Sequence, residues 1–482
     1  MKHFKILYCC LLIFTAVHAT AQTSDSLAAY FLKPALLGTD TSLKLMVHQI
    51  TVSGNKKTKT FIILREIQFI QGDSIRMADI PKQLELARQH VYNTTLFNEV
   101  LIEPTIVLGN NLIIKVVVKE RWYLYPLPQF QPVDRNLNEW VVKYKADFAR
   151  IKYGIKFVDY NFTGRRDILK IYLLNGYTRN ISFNYIQPFS SKALREGFSF
   201  GAGYAESREV GYKTSYDNKL LFYNNGNFVN RNFTATAGYS FRKAIKSRHL
   251  FTIAYTHTSI NDSIANAVYN PNYLKNGATK RSFIDFTYSY RYANVNNIIY
   301  PLKGVTGFIT ASKRGFGFTQ GINMFYVEGG YNKYIDLKKN WYATIQFNGK
   351  IKLPFDQPYF NQRALGYGDA TLRGMEYYVV DGAAYGLIKY TLKKKLLQVS
   401  IPFPFKSSYL TTIPFTIYAK TFADIGYAYN KKTYDTYLNN KFLYTKGIGI
   451  DIITLYDINL RIEYSFNQLN QKGLFLHTQG GF

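Results

Sequence analysis

The sequence predicts a membrane-spanning β-barrel of about sixteen antiparallel strands, preceded by one small α/β domain. Three observations lead to this prediction. The chain opens with a secretory signal, contains no later apolar run long enough for a membrane helix, and alternates apolar and polar residues over most of its length. Such alternation gives each strand one lipid-facing side and one wet side, as a transmembrane barrel requires.

Residues 1–21 carry the three parts of a cleavable secretory signal. Two lysines near the start precede the apolar stretch 6–17, and the small-residue site 19–21 follows it. That order favours a removed signal over the alternative, a buried N-terminal helix. Cys9 and Cys10 both lie inside the signal, so we expect the mature chain to hold no disulfide and no thiol metal site.

The composition agrees with a barrel. Hydrophobic residues make up 47% and aromatic residues 17% of the chain, yet the mean hydropathy is only −0.17, so polar residues dilute the apolar ones evenly. The formal charge is +29, and the basic residues are scattered rather than clustered. This pattern predicts no nucleic-acid partner. It is compatible with contact to outer-membrane lipids or lipopolysaccharide, and equally with ordinary lumen and loop charges.

Residues 22–43 form a predicted linker, and residues 44–120 a small α/β domain. The predicted order is a strand, two helices and two strands, at residues 46–53, 61–67, 80–92, 97–102 and 112–118. Gly54-Asn55 is a turn signal that ends the first strand, and Thr58 is a possible N-cap of the first helix.

This order, together with three short motifs, resembles a POTRA domain, the periplasmic module of outer-membrane assembly and secretion proteins. The motifs are Ile50-x-Val52-x-Gly54-Asn55, Leu96-Phe97-x-x-Val100 and Val116-x-Val118-x-Glu120. An unrelated small α/β domain is the alternative. The resemblance implies one POTRA-like domain directly before the barrel.

Residues 121–482 show almost no helical periodicity and form the predicted barrel. Clear alternation occurs in residues 233–241, 282–292 and 341–353, and turn signals such as residues 224–227 separate the alternating stretches. A bilayer-crossing strand needs about 9–11 residues, which these stretches supply. A soluble β-sandwich also alternates, but its outward face would be polar and its strands shorter.

The segment 366–375, Gly-Tyr-Gly-Asp-Ala-Thr-Leu-Arg-Gly-Met, resembles the long extracellular loop of the BamA/TamA superfamily. About fifty residues later, the segment 422–426 resembles the aromatic-x-Asp-x-Gly motif of the barrel wall in that superfamily. The resemblance implies that the loop folds into the lumen and that Arg373 pairs with Asp424. Gly374 and Gly426 would then let the backbones approach closely. The alternative is that Arg373 is an ordinary exposed loop residue.

Two departures from the superfamily pattern concern the partners of this loop. Met375 stands where an aromatic residue is usual, and the strand at 387–391 lacks the usual wall glutamate. The second departure puts a second acidic partner of Arg373 in doubt. Elsewhere, Asn297-x-x-Tyr300-Pro301-x-x-Gly304 resembles a mid-barrel turn of the superfamily. Phe482 resembles the C-terminal aromatic residue typical of barrels that enter the outer membrane through the assembly machinery, so we expect it to act as a barrel assembly signal.

The resemblance implies a non-enzymatic factor in the outer membrane, with its POTRA domain in the periplasm. It would insert or translocate unfolded outer-membrane or secreted proteins through a weak seam in the barrel. The alternatives are a dedicated secretion pore for one partner protein and a lipid-handling or structural barrel.

We expect no cofactor and no metal, since the histidines are dispersed. Ser199 in Gly197-Phe198-Ser199-Phe200-Gly201 fits a hydrolase motif, but a helix must follow that motif and a strand pattern follows here.

Overall fold

The computed structural model describes residues 42–107, 110–134, 139–316, 321–403, 412–431 and 436–479. The predicted signal peptide (1–21), nearly all of the predicted linker (22–43) and Phe482 lie outside these described residues. Among the described residues, no helix is both long enough and apolar enough to cross a membrane.

The N-terminal domain is a four-stranded sheet with two helices. Its elements are β1 (Lys44–Ser53), α1 (Thr60–Leu64), β2 (Ser74–Arg76), α2 (Ile80–Tyr92), β3 (Phe97–Val107) and β4 (Asn111–Glu120). The sheet order is β2-β1-β4-β3, with β1 parallel to β4, so β3 forms one edge of the sheet. Helix α2 buries Ile80, Leu84, Ala87 and Val91, whose spacing of three and four residues places them on one face.

Three details of this domain differ from the sequence-based expectation. Strand β2 was not predicted, because a three-residue strand shows no alternation and forms only by pairing with β1. Helix α1 is a single turn that ends at Leu64, not at Ile67. Thr58 does not cap α1, because Lys59 is the N-cap residue and the buried Thr58 hydroxyl lies 3.0 Å from the Tyr123 hydroxyl.

Sixteen antiparallel strands follow and form one continuous sheet in chain order. They are β5 (Leu124–Pro132), β6 (Ile151–Asp159), β7 (Ile168–Gly176), β8 (Thr178–Gln187), β9 (Glu196–Ser207), β12 (Asn230–Phe241), β13 (Ser247–Ile260), β14 (Lys280–Val295), β15 (Gly304–Arg314), β16 (Met324–Lys338), β17 (Trp341–Leu353), β20 (Ala384–Pro402), β21 (Thr412–Tyr429), β22 (Phe442–Ile453), β23 (Asn459–Asn467) and β24 (Lys472–Gln479). Two hairpins lie in loops between these strands: β10 (Val210–Thr214) with β11 (Leu220–Tyr223), and β18 (Arg363–Leu365) with β19 (Val380–Asp381).

The two faces of the barrel wall differ in chemistry. On β14, Ile284 and Phe286 are exposed on the outer face, whereas the intervening Asp285 faces inward and accepts hydrogen bonds from Arg314. The same division recurs around the sheet, so apolar and aromatic side chains cover the outside and polar side chains line the lumen. The predicted barrel and the α/β domain before it are confirmed.

The N-terminal domain packs against one end of the barrel, and we call this end the domain side. The turns that follow β6, β8, β12, β14 and β22 lie there. The loops at the opposite, far end are longer, and the longest described one joins β17 to β20 and carries the β18–β19 hairpin.

Candidate functional site

The loop between β17 and β20, residues 354–383, is fixed at its base by one buried lysine. The Lys352 ammonium donates hydrogen bonds to the carbonyls of Asn361 (2.8 Å), Arg363 (2.6 Å) and Gly382 (3.1 Å). These carbonyls belong to the two limbs of the loop, near the β18–β19 hairpin. One cation therefore ties both limbs to the top of β17.

Arg373, at the tip of this loop, lies against Asp424 in β21. The Nε atom donates to Oδ2 at 3.0 Å and to Oδ1 at 3.2 Å, and Nη2 also donates to Oδ1. The backbone N–H of Arg373 adds a fourth contact, 2.9 Å from Oδ2. Asp424 is fully buried, and Arg373 is the cation that forms an ion pair with it among the described residues.

Both terminal nitrogens of Arg373 also contact β20. Nη1 donates to the Thr391 hydroxyl at 2.9 Å, and Nη2 to the Tyr390 carbonyl at 3.2 Å. The guanidinium carbon lies 4.1 Å from the centre of the Phe422 ring, a cation–π distance. A hydroxyl and a carbonyl of β20 thus act as further acceptors for Arg373. The sequence analysis had left a second acidic partner in doubt at this strand.

The two predicted glycines lie where backbone and side chains come close. Gly374 has a φ of +87°, and a Cβ there would lie 2.6 Å from the Cβ of Ser465. The Asn467 amide donates to the Gly374 carbonyl at 2.9 Å. At Gly426 a Cβ would lie 3.0 Å from Leu372 of the loop, so this bare position on the wall admits the loop.

An apolar cluster surrounds these contacts. Met375 is 3% exposed and belongs to the cluster, where the superfamily would place an aromatic residue. The cluster also contains Leu365, Leu372, Tyr378, Leu387, Ala428, Leu438 and Leu443. The loop is therefore held by a buried ion pair on one side and by packed apolar side chains on the other.

A second charge network lies in the lumen nearer the domain side, and sequence reasoning missed it. Asp451 accepts a hydrogen bond from the Tyr300 hydroxyl at 2.7 Å and lies 3.3 Å from the Lys393 ammonium. Lys420 contacts Asp451 as well and reaches Glu463 at 2.6 Å. The spacing of the charged residues was the sequence signal that could have revealed this network. Charged residues two or four positions apart on one strand lie on the same face of the sheet.

The loop also contacts the last two strands of the barrel. His477 of β24 has its Nε2 atom 3.4 Å from Glu376 of the loop and 3.5 Å from Glu463 of β23. The Tyr378 hydroxyl donates to the side chain of Gln471 at 2.8 Å. These contacts connect the loop to β24 and to the turn between β23 and β24, in addition to the contact of Gly374 with Asn467 of β23.

Two polar cavities lie inside the barrel. The larger, of about 930 Å³, faces the far end and is lined by residues of the loop, including Arg363, Arg373 and Glu376. The smaller, of about 220 Å³, lies towards the domain side and is lined by Tyr300, Lys393 and Asp451, among others. Four residues line both cavities and so mark the narrowing between them: Tyr334, Gln346, Arg373 and Arg461.

The N-terminal domain is joined to the barrel mouth by ion pairs. Arg242, directly after β12, holds the buried Glu66 with two guanidinium nitrogens, and the Nη2–Oε2 distance is 2.8 Å. Burial alone would raise the pKa of Glu66, but the charge and hydrogen bonds of Arg242, with Arg166 and Arg65 nearby, hold this pKa below its usual value. Arg121 lies 2.9 Å from Asp457, in the turn after β22.

The turn after β6 supplies a further part of this interface. The Asn161 amide donates to the Thr58 hydroxyl at 2.9 Å, and the backbone N–H of Lys59 donates to the Gly164 carbonyl at 2.9 Å. Lys57 forms an ion pair with Asp159 at 3.0 Å. The interface thus contains polar contacts at turns from several parts of the barrel.

Ser199 lies in the middle of β9, a strand that continues to Ser207. Its residue in register on β12 is Gly238, and a short loop rather than a helix follows β9. The strand, sharp turn and helix that the hydrolase motif requires are therefore not found at Ser199.

Comparison with known proteins gives matches to the domain and to the whole fold. A family described as POTRA, surface antigen variable number repeat, matches residues 45–121. The outer membrane protein assembly factor BamA of Neorickettsia risticii (strain Illinois) is 36% identical over 78 residues, which is 16% of this chain and 10% of that protein. The match therefore spans about a tenth of the length of that relative.

Two solved structures share the fold over 90% of this chain. BamA from Haemophilus ducreyi lacking POTRA domains 1-3 aligns with a TM-score of 0.51 and 15% identity, over 84% of that chain. CdiB from Escherichia coli aligns with a TM-score of 0.52 and 11% identity, over 76% of that chain. At these identities the likeness concerns the fold, and it agrees with the domain match.

Proposed function

We propose that this chain, which belongs to the BamA/TamA-type superfamily by its POTRA domain and its sixteen-stranded barrel, inserts or translocates other proteins at the outer membrane. The POTRA domain lies in the periplasm, so the domain side of the barrel is the periplasmic side and the loop with Arg373 enters from outside. The clients are unfolded outer-membrane or secreted proteins.

The observation that carries the proposal is the position of the POTRA sheet at the barrel mouth. Strand β3, eleven residues long, is one edge of that sheet. An edge strand can add an extended client segment by backbone hydrogen bonds. The ion pairs of Glu66 with Arg242 and of Arg121 with Asp457 hold the sheet at the barrel mouth, so a captured segment would be presented next to the barrel.

The contacts of the loop inside the lumen support the same proposal. The loop is held inside the barrel by the Arg373–Asp424 pair. It contacts β23 through Gly374, β24 through Glu376, and the turn between these strands through Tyr378. A rigid loop against the last strands would maintain the barrel shape while those strands accept a client. We propose that Arg373, Gly374, Asp424 and Gly426 form this lock.

A dedicated translocation pore for one partner protein is the second candidate function. The two cavities favour it, because they leave open space in the lumen on both sides of the narrowing. In either function the work is binding and conformational change, and we propose that the chain is not an enzyme. Contact of the barrel with outer-membrane lipids and lipopolysaccharide is part of the same proposal.

Controlled depletion of this protein, followed by quantitative proteomics of the outer membrane, tests the proposal. We expect several unrelated barrel proteins to decrease together while their messenger RNAs persist. A selective loss of one secreted protein, with barrel proteins unchanged, would instead establish the dedicated pore. Unchanged levels of both classes would refute both functions.

A further inference from the structure

Two buried carboxylates in the lumen each face more than one cation. Lys389 of β20 is in register with Asp424 of β21, and Arg461 of β23 is in register with Asp451 of β22. Residues in register on neighbouring antiparallel strands point to the same face, with their Cβ atoms about 5 Å apart. The register alone therefore predicts the pairs Lys389–Asp424 and Arg461–Asp451.

Neither of these pairs forms. Asp424 is bound by Arg373 of the loop, through its guanidinium and its backbone N–H. Asp451 is bound by the Tyr300 hydroxyl and by two lysines from β20 and β21. In the described part of the chain, Lys389 and Arg461 form no ion pair and no hydrogen bond, and the Nε atom of Arg461 is buried without an acceptor.

These two cations border open space. Lys389, Arg461 and Arg373 all line the larger cavity, and Arg461 with Arg373 lines the smaller cavity as well. Glu463 and Glu376 also line the larger cavity. Lys420 binds Oε1 of Glu463, and His477 lies 3.4 Å from Oε1 of Glu376, whereas, within the described ranges, the Oε2 atom of each glutamate is buried without a hydrogen-bond partner. An arginine with a buried donor and no acceptor costs free energy unless an anion or water supplies the acceptor.

We propose that the lumen holds an oxyanion site of the phosphate class at Arg461 and Lys389, where the two cavities meet. The planar fork of Arg461 can donate two parallel hydrogen bonds to one oxyanion, and the Lys389 ammonium adds a point charge. The larger cavity, of about 930 Å³, is lined by both residues and is large enough for such an ion. Because Arg373 of the loop binds Asp424, Lys389 has no carboxylate as an ion-pair partner in the part of the barrel that the structure describes. The bound anion would supply the missing negative charge.

This inference is independent of the proposed function, because it concerns binding by the folded barrel and not client assembly. It is tested by equilibrium dialysis of the purified full chain, in a non-ionic detergent and phosphate-free buffer, against radiolabelled inorganic phosphate. We expect saturable binding of one phosphate per chain that unlabelled phosphate displaces and sodium chloride of equal ionic strength does not. Phosphate should also raise the temperature at which the barrel unfolds on a heat-modifiability gel.

Arg461→Gln should weaken phosphate binding by about tenfold or more, because it removes a charged donor pair, and Lys389→Gln should weaken it to a lesser degree. Arg291→Gln is the matched control. Arg291 is an exposed arginine on the inward side of β14, and it lines neither cavity. Phosphate binding should be unchanged in this variant.

The phosphate group could come from a lipid head group or from the free anion, and adding phosphatidylglycerol to the micelles distinguishes these two sources. Displacement of the labelled phosphate by this lipid assigns the site to a phosphorylated head group, and no displacement assigns it to the free anion; both results support an oxyanion site. Absence of saturable binding to the wild-type chain would overturn the proposal whether or not the variants fold. Equal binding by folded Arg461→Gln, or binding of tetraglutamate in place of phosphate, would also overturn it.

Discussion

Arg373 and Asp424 stand fifty-one positions apart in the sequence, and the structure joins them by hydrogen bonds from both the guanidinium and the backbone of Arg373. The pair links a far-end loop to the barrel wall in the lumen. Because Asp424 is fully buried, it cannot exchange this partner for water. The position of the loop therefore depends on this carboxylate of the barrel wall.

Arg373→Ala should destabilise the barrel by about 3–5 kcal/mol, since it leaves the buried Asp424 carboxylate without its cation. Heat-modifiability on gels, with the unfolding temperature as readout, measures the loss. The double variant Arg373→Ala/Asp424→Ala should lose less than the sum of the two single variants, because it removes both charges. Additive losses would show that the two residues do not act as a pair.

The two loop-lock glycines and the pairing of Arg373 with Asp424 followed only from the superfamily resemblance, whereas the barrel strands could be predicted from the residue pattern itself. Strand alternation is local, so the stretches at 233–241, 282–292 and 341–353 lie within or match β12, β14 and β17. The short strands β2, β18 and β19 were not predicted, because their pairing comes from distant segments. Register alone would have paired Asp424 with Lys389, and only the folding of the loop into the lumen gives it Arg373.

Gly374→Ala should destabilise the loop more than Gly368→Ala does. Both glycines have a positive φ, +87° and +57°, so an alanine is strained at either position. At Gly374 the new Cβ also meets Ser465 at 2.6 Å, whereas at Gly368 nothing lies within 4 Å. Limited proteolysis of the loop in intact cells would measure the difference. Ser465→Gly should partly rescue Gly374→Ala, and failure of this rescue would argue against the close contact as the cause.

Lys352→Met should loosen the base of the loop, because the ammonium that binds three carbonyls of residues 361, 363 and 382 is lost. Each carbonyl left buried without a donor costs about 1–3 kcal/mol, so the loop should become sensitive to protease although Arg373 is intact. Lys350→Met, on the same strand, is the control: Lys350 binds no described loop carbonyl and forms a partly exposed pair with Glu328, so its loss should have a much smaller effect on the loop. Equal sensitivity in the two variants would contradict this role of Lys352.

The Glu66–Arg242 pair should make attachment of the POTRA domain to the barrel mouth dependent on pH. Burial raises the pKa of Glu66, but the charge and hydrogen bonds of Arg242, together with the charges of Arg166 and Arg65, hold this pKa below its usual value in the folded protein. A lowered carboxyl pKa contributes stability above the unfolded value of 4.5, and this stability is lost as the pH falls through the still lower folded value. Attachment should thus be constant from neutral pH down to about 5 and weaken below the usual glutamate pKa. Fluorescence energy transfer between one dye on the POTRA domain and one on the barrel measures this attachment as the pH is lowered.

Glu66→Gln should weaken attachment already at neutral pH, by about 3 kcal/mol or more, because Arg242 stays buried without a counter-charge. Glu85→Gln is the matched control in the same domain. Glu85 pairs with Arg88 on the partly exposed face of α2, where such a pair contributes about 1 kcal/mol or less to folding and nothing to the interface. If the two variants released the domain equally, or if Glu66→Gln kept the acid-dependent change of the wild-type chain, another group would have to be responsible for the attachment.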